Sequence, residues 1–510
     1  MEKIRKIIVL MVFFGMTVSC EKDLLDQVNP NAPTPDTFWQ TEEDAILGIN
    51  AVYSGIQNRE LSLWEIFDYD MRSDEGYSQS PWTDLANVGR HVNINYDFPW
   101  LLEVWRELYR TIYKANQVLE NVPNIEMDES LRARIVAEAH FLRGHCYYKL
   151  ATLWGRVPLV TGIEDANTRY PQGTIEEVWA LVEEDFIAAA AGLPESYTGA
   201  DTGRATYGGA IGYLGRSYLQ QKKWSEAAAE FEKIIAMVPG TYDLMEDFKD
   251  NFTEEFENNK ESLFEIQFVN NNGKTGGFPT YNNASGDETS ERAQFFGVRP
   301  LGWTDGQPTK WLLNQFLSET DSDGNEDPRL QYTMTYDHPG ELLYGQTYAE
   351  RGAGPNDRFW RKYTNYWQDY ESYFSGINTR VLRLADVYLM YAEALNELGR
   401  TPEAIPYANL VRQRSNMNDL PMTLNQEDFR LQLRHDRVVE LAGESVRFVD
   451  MVRYGIAGPE LAGPDPSLSA AESDFDTEFQ NFVKGKSEYL PIPLREIDAY
   501  GGSLEQNPGW

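Results

Sequence analysis

Gly208–Thr241 reads GGAIGYLGRSYLQQKKWSEAAAEFEKIIAMVPGT. Leu214, Gly215 and Tyr218 in its first half are answered by Ala227, Phe231 and Pro239 in its second. Those spacings describe two helices joined by a tight turn. The small residues let the helices approach, and the large ones fill the seam between them. A weaker copy places Ala392, Ala404 and Ala408 at the same offsets. A third joins a helix around Gly144 to one carrying Phe186, Ala189 and Pro194, with a long insertion between.

This is the pattern of a tetratricopeptide repeat, and three interrupted copies predict a repeat superhelix. Outward from it, apolar residues recur at three- and four-residue spacing through most of 40–240 and 380–455. One such run is Trp105, Leu108, Ile112, Ala115 and Leu119; another is Leu384, Val387, Tyr391, Ala394 and Leu398. The fold class is therefore mainly α: a tetratricopeptide-like helix–turn–helix superhelix with long loops and a little β. Leu263 to Val269 alternates and reads as a strand. It leads into one of two stretches that break the helical pattern, 270–308 and 340–378. Both are rich in Gly and polar residues with interleaved aromatics, which argues for functional loops over disorder. Region 457–480 is rich in Pro, Ser and Asp and reads as a surface excursion. Pro491 and Pro493 stiffen an extended tail expected to dock on the helices.

The chain has 510 residues, with 45 Lys+Arg against 80 Asp+Glu and a net charge of −35. That balance argues against a nucleic-acid partner and against nonspecific adhesion to an anionic membrane. Lys3, Arg5 and Lys6 precede an apolar run, Ile7 to Val18, which is shorter than the ~20 residues of a membrane span and fits a secretory signal. Ser19 then precedes Cys20. The arrangement resembles a bacterial lipobox, with Thr17 where Leu is usual; it implies a signal peptide at 1–19 and lipidation of Cys20. The alternative is an ordinary cleaved signal with an incidental Cys. Losing residues 1–19 removes three basic residues and one acidic, taking the charge from −35 to −37. Cys146 is then the one thiol besides Cys20, so a disulfide framework is excluded, and a buried, inert Cys146 is expected.

Catalytic motifs are missing: there is no HExxH, GxSxG, P-loop or GxGxxG. His140 and His145 are five apart, off the i, i+4 spacing that zinc ligands need on a helix. In the run DSDGNED, Asp321, Asp323, Asn325 and Asp327 alternate as calcium ligands can. However, Gly324 falls fourth and Tyr332 twelfth, where an EF-hand loop wants Gly sixth and Glu twelfth. A solvated turn is the competing reading, so no cofactor is expected, with calcium as the exception to test. Arg437, Glu440, Glu444, Arg447, Asp450 and Arg453 cluster on what reads as one helix, and they predict an ion-pair network between helices, not catalysis.

Segment Ala137–Val160, AEAHFLRGHCYYKLATLWGRVPLV, resembles the SusD/RagB family of nutrient-binding outer-membrane lipoproteins of Bacteroidetes. So do GRATYGGAIGYLGRSYL from Gly203, VLRLADVYLMYAEALNELG from Val381, RVVELAGESVRFVDMVRYG from Arg437, and the closing YLPIPLREIDAY and QNPGW. Leu384, Asp386 and Trp510 depart from the family's usual Tyr, Glu and Tyr. The acidic Glu21 and Asp23 resemble the surface-export signal of such lipoproteins. The resemblance covers nearly the whole chain and implies one SusD-like domain over 20–510. It also implies a lipid-anchored location at the cell surface on the outer membrane, and a SusC-like TonB-dependent transporter as partner.

The implied activity is noncatalytic capture of an oligo- or polysaccharide and its delivery to that transporter. Sugars stack their C–H faces on aromatic rings and offer a hydroxyl rim to short polar side chains. Asp70–Arg90 has that composition, and its Ser73–Glu75 and Trp82 match the family's N-terminal ligand segment. The expected ligand residues are Trp82, Tyr281, Trp303, Trp367, Asp70, Arg72, Asp74 and Asn87; packing within the loops is the competing role for the rings. Trp82→Ala is expected to remove most affinity and leave the thermal melt unchanged. Trp105, Trp154, Trp179 and Trp224 lie in repeat segments and are expected in the core. Two other readings remain open: a SusD-like binder of peptides or another non-glycan nutrient, and a helical glycoside hydrolase or lyase.

Overall fold

The computed structural model describes residues 38–78, 80–92, 94–163, 168–270, 289–366, 371, 375–458 and 481–510. The scaffold helices are α1 Glu42–Ile56, α2 Pro99–Asn121, α3 Glu129–Leu153, α4 Ile175–Gly192, α5 Tyr207–Gln220, α6 Trp224–Ile235, α7 Leu384–Glu397, α8 Thr401–Arg414, α9 Gln426–Leu441 and α10 Arg447–Tyr454. The starts of α1, α3, α4, α5 and α9 are set by side chains that satisfy free backbone N–H groups. Thr41 with Asp44, and Thr174 with Glu177, form reciprocal capping boxes on α1 and α4. Asp128 and Thr206 cap α3 and α5.

The quoted stretch forms the hairpin α5–α6. A Cβ on Gly215 would lie 2.6 Å from the Phe231 ring, so glycine there is what permits the close approach. In the α3–α4 hairpin Gly144 meets Phe186 in the same way, at 3.2 Å. The insertion predicted between α3 and α4 spans 154–174. In the α7–α8 hairpin, Ala392, Ala404 and Ala408 are fully buried. Successive hairpins stack, α4 on α5 and α6 on α7, while α1 and α2 extend the array from α3 and α9 closes it against α7. A contiguous core runs through them from Ala45 to Leu504 and takes in Trp105, Trp154 and Trp179, with Trp224 partly buried at its edge. Burial pushes the Cys146 thiol up to about 12, so it is inert as a nucleophile.

Short antiparallel strand pairs tie the loops to this array: β1 Gly76–Tyr77 with β3 Gln307–Pro308, β2 Ser262–Ile266 with β6 Thr379–Arg383, and β4 Met334–Tyr336 with β5 Arg358–Trp360. The strand expected at 263–269 is β2, ending three residues earlier. The C-terminal tail docks as expected. Trp154 Nε1 donates to the Pro491 carbonyl at 3.0 Å, and Asn507 Nδ2 donates to the carbonyls of Trp154 and Leu490 at 2.8 and 2.9 Å. Trp510 Nε1 donates to the Lys486 and Tyr489 carbonyls.

The predicted ion-pair network is present, but on two helices. Ala442 turns extended at φ −50° and ψ 131° and ends α9, and Gly443 follows at φ 75°, so Arg437 and Glu440 sit on α9 while Arg447, Asp450 and Arg453 sit on α10. Arg383 at the end of β6 is its hub. Nη1 reaches Glu261 at 2.8 Å and Glu440 at 2.6 Å, and Nη2 reaches Glu444 at 2.8 Å. Arg329 and Arg414 also hold Glu440. Arg437 bridges Asp386 and Asp450, and Arg453 bridges Asp450 and Glu393. Burial alone would raise these carboxyls. The opposing guanidiniums win and hold Glu440, Glu444 and Asp386 below the usual carboxylate range, with Asp450 pulled down to about 2.

Candidate functional site

The N-terminal loop and the mid-chain loop are joined by backbone before their rings meet. β1 pairs with β3 in the register Gly76 to Pro308 and Tyr77 to Gln307. Tyr77 Oη donates to Gln307 Oε1 at 3.0 Å, Ser78 Oγ to the Asp305 carbonyl at 2.7 Å, and Thr309 Oγ1 to the Asp74 carbonyl at 2.6 Å. Ser80 Oγ accepts the Trp82 amide at 3.1 Å, which aims the chain into the short helix Thr83–Gly89.

This seam brings Trp82 and Trp303 onto one aromatic cluster. Trp82 packs edge-on against Trp64 at 5.8 Å and Phe98 at 4.9 Å. Trp303 packs edge-on against Phe295 at 4.6 Å, and Phe295 against Trp64 at 5.5 Å. Trp64, Phe98 and Phe295 are buried and form the base, while Trp82 and Trp303 are partly exposed above it. Polar residues stand on the segments that carry the two rings. Asn87 and Asp84 sit on the helix that Trp82 opens, and Asn95 Nδ2 donates to Asp84 at 3.4 Å. The exposed Arg299 donates from Nε to the Trp303 carbonyl at 2.7 Å. Rings fixed by edge contacts, with short polar groups at the rim, can stack on apolar ligand faces and hydrogen-bond their edges.

The edge contacts correct one expectation. Trp82 contributes to the packing of Trp64 and Phe98, so its truncation also costs stability, roughly 0.5–1.5 kcal/mol for each ring pair lost.

Three of the expected polar ligand residues are instead structural. Asp70 is fully buried; its carboxylate accepts from Ser445 N and Oγ at 3.0 Å each and faces Arg292. Arg72 is 1% exposed, donates to the carbonyls of Asp68, Ser487 and Glu488, and stacks on Phe448. Asp74 is clamped by Arg447, at 2.8 Å to each carboxylate oxygen. These residues hold the loop on α10 and the tail, and ligand could reach Asp70 or Arg72 only by displacing protein. Burial pushes Asp70 and Glu75 above the usual carboxylate range and draws the Arg72 guanidinium down to about 10. Tyr281, Trp367 and Cys20 lie outside the described residues, as does most of the excursion at 457–480.

The acidic turn is closed on itself. Asp321 accepts from the amides of Asp323 and Asn325 and from Asn416 Nδ2. Asp327 is bidentate to Arg329. Among the described residues no group of three or more His, Cys, Asp or Glu side chains is arranged to hold a metal ion. His140 bonds Asp185 at 2.7 Å, and His145 bonds Tyr213 at 2.7 Å.

Sequence reasoning missed the base of the cluster. Trp64 and Phe295 sit in short helical turns, Glu65–Asp68 following the first and Arg292–Phe296 carrying the second, without the periodicity that marks a core residue.

Comparison with known proteins places the chain. Residues 260–510 match the family model described as the SusD family, and residues 23–219 match one described as starch-binding associating with outer membrane. The chain is similar to SusD-like protein P25 of Formosa agariphila, 26% identical over 99% of this chain and 98% of that one. A solved SusD superfamily protein from Bacteroides vulgatus is 26% identical, with a TM-score of 0.78 over 93% of this chain and all of that one. A solved structure named as a laminarin binding SusD-like protein is also 26% identical, with a TM-score of 0.75 over 92% of this chain and all of that one. With its helical hairpins, docked tail and matched sequence together, the chain belongs to the SusD/RagB family.

Proposed function

We propose that the protein is a noncatalytic glycan-binding lipoprotein of the outer membrane. In this reading it captures an oligo- or polysaccharide at the cell surface and passes it to a SusC-like TonB-dependent transporter. The observation that carries the reading is the pair Trp82 and Trp303, brought from two loops onto one buried aromatic base. The laminarin-binding relative supports a glycan and makes laminarin, a neutral glucan, the first probe. Of Arg72, Arg292, Arg351 and Arg358, which could offset the chain's acidity at a ligand surface, Arg72, Arg292 and Arg358 are buried and engaged with protein groups, and Arg351 is partly exposed and donates to the Leu343 and Tyr344 carbonyls. Cys20 would carry the anchor, and the repeat helices would face the barrel.

Affinity electrophoresis of the mature chain through gels containing laminarin, other glucans and fructans tests the reading. Retardation by at least one is expected; passage through every polymer without retardation would contradict it. Release of reducing sugar by the purified chain would move the protein to the hydrolase reading. Retention of peptide mixtures alone would move it to the peptide-binding one.

A further inference from the structure

Asp305 follows Trp303 by two residues, and its backbone is pinned from both sides. On one side is the helical turn Arg292–Phe296. The amides of Trp303, Thr304 and Asp305 donate to the carbonyls of Gln294, Gly297 and Phe295 at 2.9, 3.1 and 2.7 Å. On the other side two serines tie it to the N-terminal loop. Ser78 Oγ donates to the Asp305 carbonyl at 2.7 Å and accepts the Ser80 amide at 3.2 Å. Ser80 Oγ in turn accepts the Trp82 amide at 3.1 Å, and its hydroxyl meets the Asp305 carboxylate. The carboxylate therefore stands where the segments carrying Trp82 and Trp303 join.

The fold gives this carboxylate little else. A carboxylate offers about four acceptor positions, and the Ser80 hydroxyl takes one. Arg299 is the charged group that acts on it, without forming an ion pair, and Arg299 Nε is engaged by the Trp303 carbonyl at 2.7 Å. Burial pushes the carboxyl above its ordinary value, against the pull of Ser80 and Arg299. Its neighbours differ. Asp70 is filled by Ser445, Asp74 by Arg447, and Glu75 accepts the Gly443 amide at 3.4 Å. Asp68 lacks donors too, but both its oxygens are sealed from solvent. Asp305 is 6% exposed and has no oxygen that is both sealed and without a partner, so an oxygen that lacks a donor meets solvent.

We propose that Asp305 is the hydroxyl-reading residue of the glycan site, its open acceptor positions taking O–H groups from the rim of a sugar unit stacked on Trp82 or Trp303. This rests on the glycan-binding reading and supplies a polar partner that Asp70, Arg72 and Asp74, held by protein, do not. Hydrogen bonds to a carboxylate are charge-assisted and roughly twice as strong as neutral ones. A desolvated carboxylate short of donors gains most by accepting them. Its direction is set by the pinned backbone before any ligand arrives, so little ordering is left to bind against.

The test is calorimetric titration of the mature chain with laminarin, malto- and inulin oligosaccharides, in the parent and in Asp305→Asn, a variant of equal size. At about pH 7.5 the variant should bind the parent's glycan about tenfold more weakly, with a thermal melt no lower than the parent's. The second readout is the pH profile. The carboxyl lies above its ordinary value of 3.8, so its accepting, charged form is lost as pH falls, and it is mostly neutral by about pH 4. The parent's affinity should fall toward the variant's between those two conditions, and the variant's own profile should be flatter. Parent-like affinity in Asp305→Asn, or a parent profile that matches the variant's in shape, would overturn the assignment and leave the glycan reading standing. Affinity and melt lost together, with no difference in pH profile, would make Asp305 a strut of the loop and overturn it as well. No binding of any of these glycans by the parent would contradict the glycan reading itself, and the assignment with it.

Discussion

The charged belt around Arg383 and the aromatic cluster around Trp64 are both anchored in the interior, and they use burial in opposite ways. In the belt every carboxylate has guanidinium partners. Coulombic attraction overcomes desolvation and holds Glu440, Glu444, Asp386 and Asp450 below their ordinary range. Under the ring cluster Asp68, Asp70 and Glu75 have fewer partners, desolvation wins, and their carboxyls are pushed up. The belt locks β2, β6, α7, α9 and α10 together. The loop base keeps two rings partly exposed on a rigid support. One region spends its polar groups on itself, and the other leaves its rings available.

The largest expected effect comes from breaking the belt. Arg383→Met removes the shared partner of Glu261, Glu440 and Glu444 and leaves each of these buried carboxylates with fewer opposing charges. A loss of roughly 3–5 kcal/mol in denaturant unfolding is expected, while glycan affinity at low temperature stays near that of the parent. An equal loss of affinity would show that the two regions are not separable.

Acid sharpens the same contrast. A carboxylate whose folded pKa is depressed adds stability that is present above its unfolded value near 4 and is lost as pH falls through the folded value. For Asp450, drawn down to about 2, that amounts to roughly 2 kcal/mol, lost between about pH 4 and pH 2. The raised carboxyls of the loop base behave oppositely: their contribution is full below about pH 4 and is shed as pH rises. Hydrogen exchange should therefore show α9 and α10 opening first below about pH 4, with the segment 68–77 better protected at pH 5 than at pH 8. Uniform loss across both would refute the assignment.

Binding should respond at the rings. Trp82→Ala is expected to weaken glycan affinity about tenfold or more and to lower stability by roughly 1–3 kcal/mol, since Trp64 and Phe98 lose their edge contacts. The smallest effect is at the joint between the regions. Asp74→Asn loosens the bidentate clamp on Arg447. Asp74 is partly exposed but Arg447 is buried, so about 1–2 kcal/mol is expected in unfolding, with a modest loss of affinity as the N-terminal loop relaxes.

The sequence made the repeat scaffold readable because its determinants are local. Gly215 and Phe231 sit within one hairpin, and Ala392, Ala404 and Ala408 within another. The ionic residues were readable as a network, but the break between α9 and α10 is made by Ala442 turning extended and by Gly443 and Ser445 at positive φ, which composition does not announce. The site was readable only in its outer members. Trp82 and Trp303 stand in loops of the right composition. Their meeting depends on Tyr77 pairing with Gln307, and on Trp64 and Phe295 filling the space beneath, contacts that no local period encodes. Asp70 and Arg72 looked like ligand groups because side-chain direction in the short turn Asp70–Arg72 cannot be read from spacing.

The most direct test of the central claim is calorimetric titration of the mature chain with laminarin oligosaccharides and the rest of the neutral panel, in the parent and in a Trp82→Ala, Trp303→Ala double variant that remains folded. Saturable binding by the parent to at least one glycan, reduced about a hundredfold or beyond detection in the double variant, is the predicted result. Undiminished affinity in the double variant, or no binding of any glycan by the parent, would contradict the account.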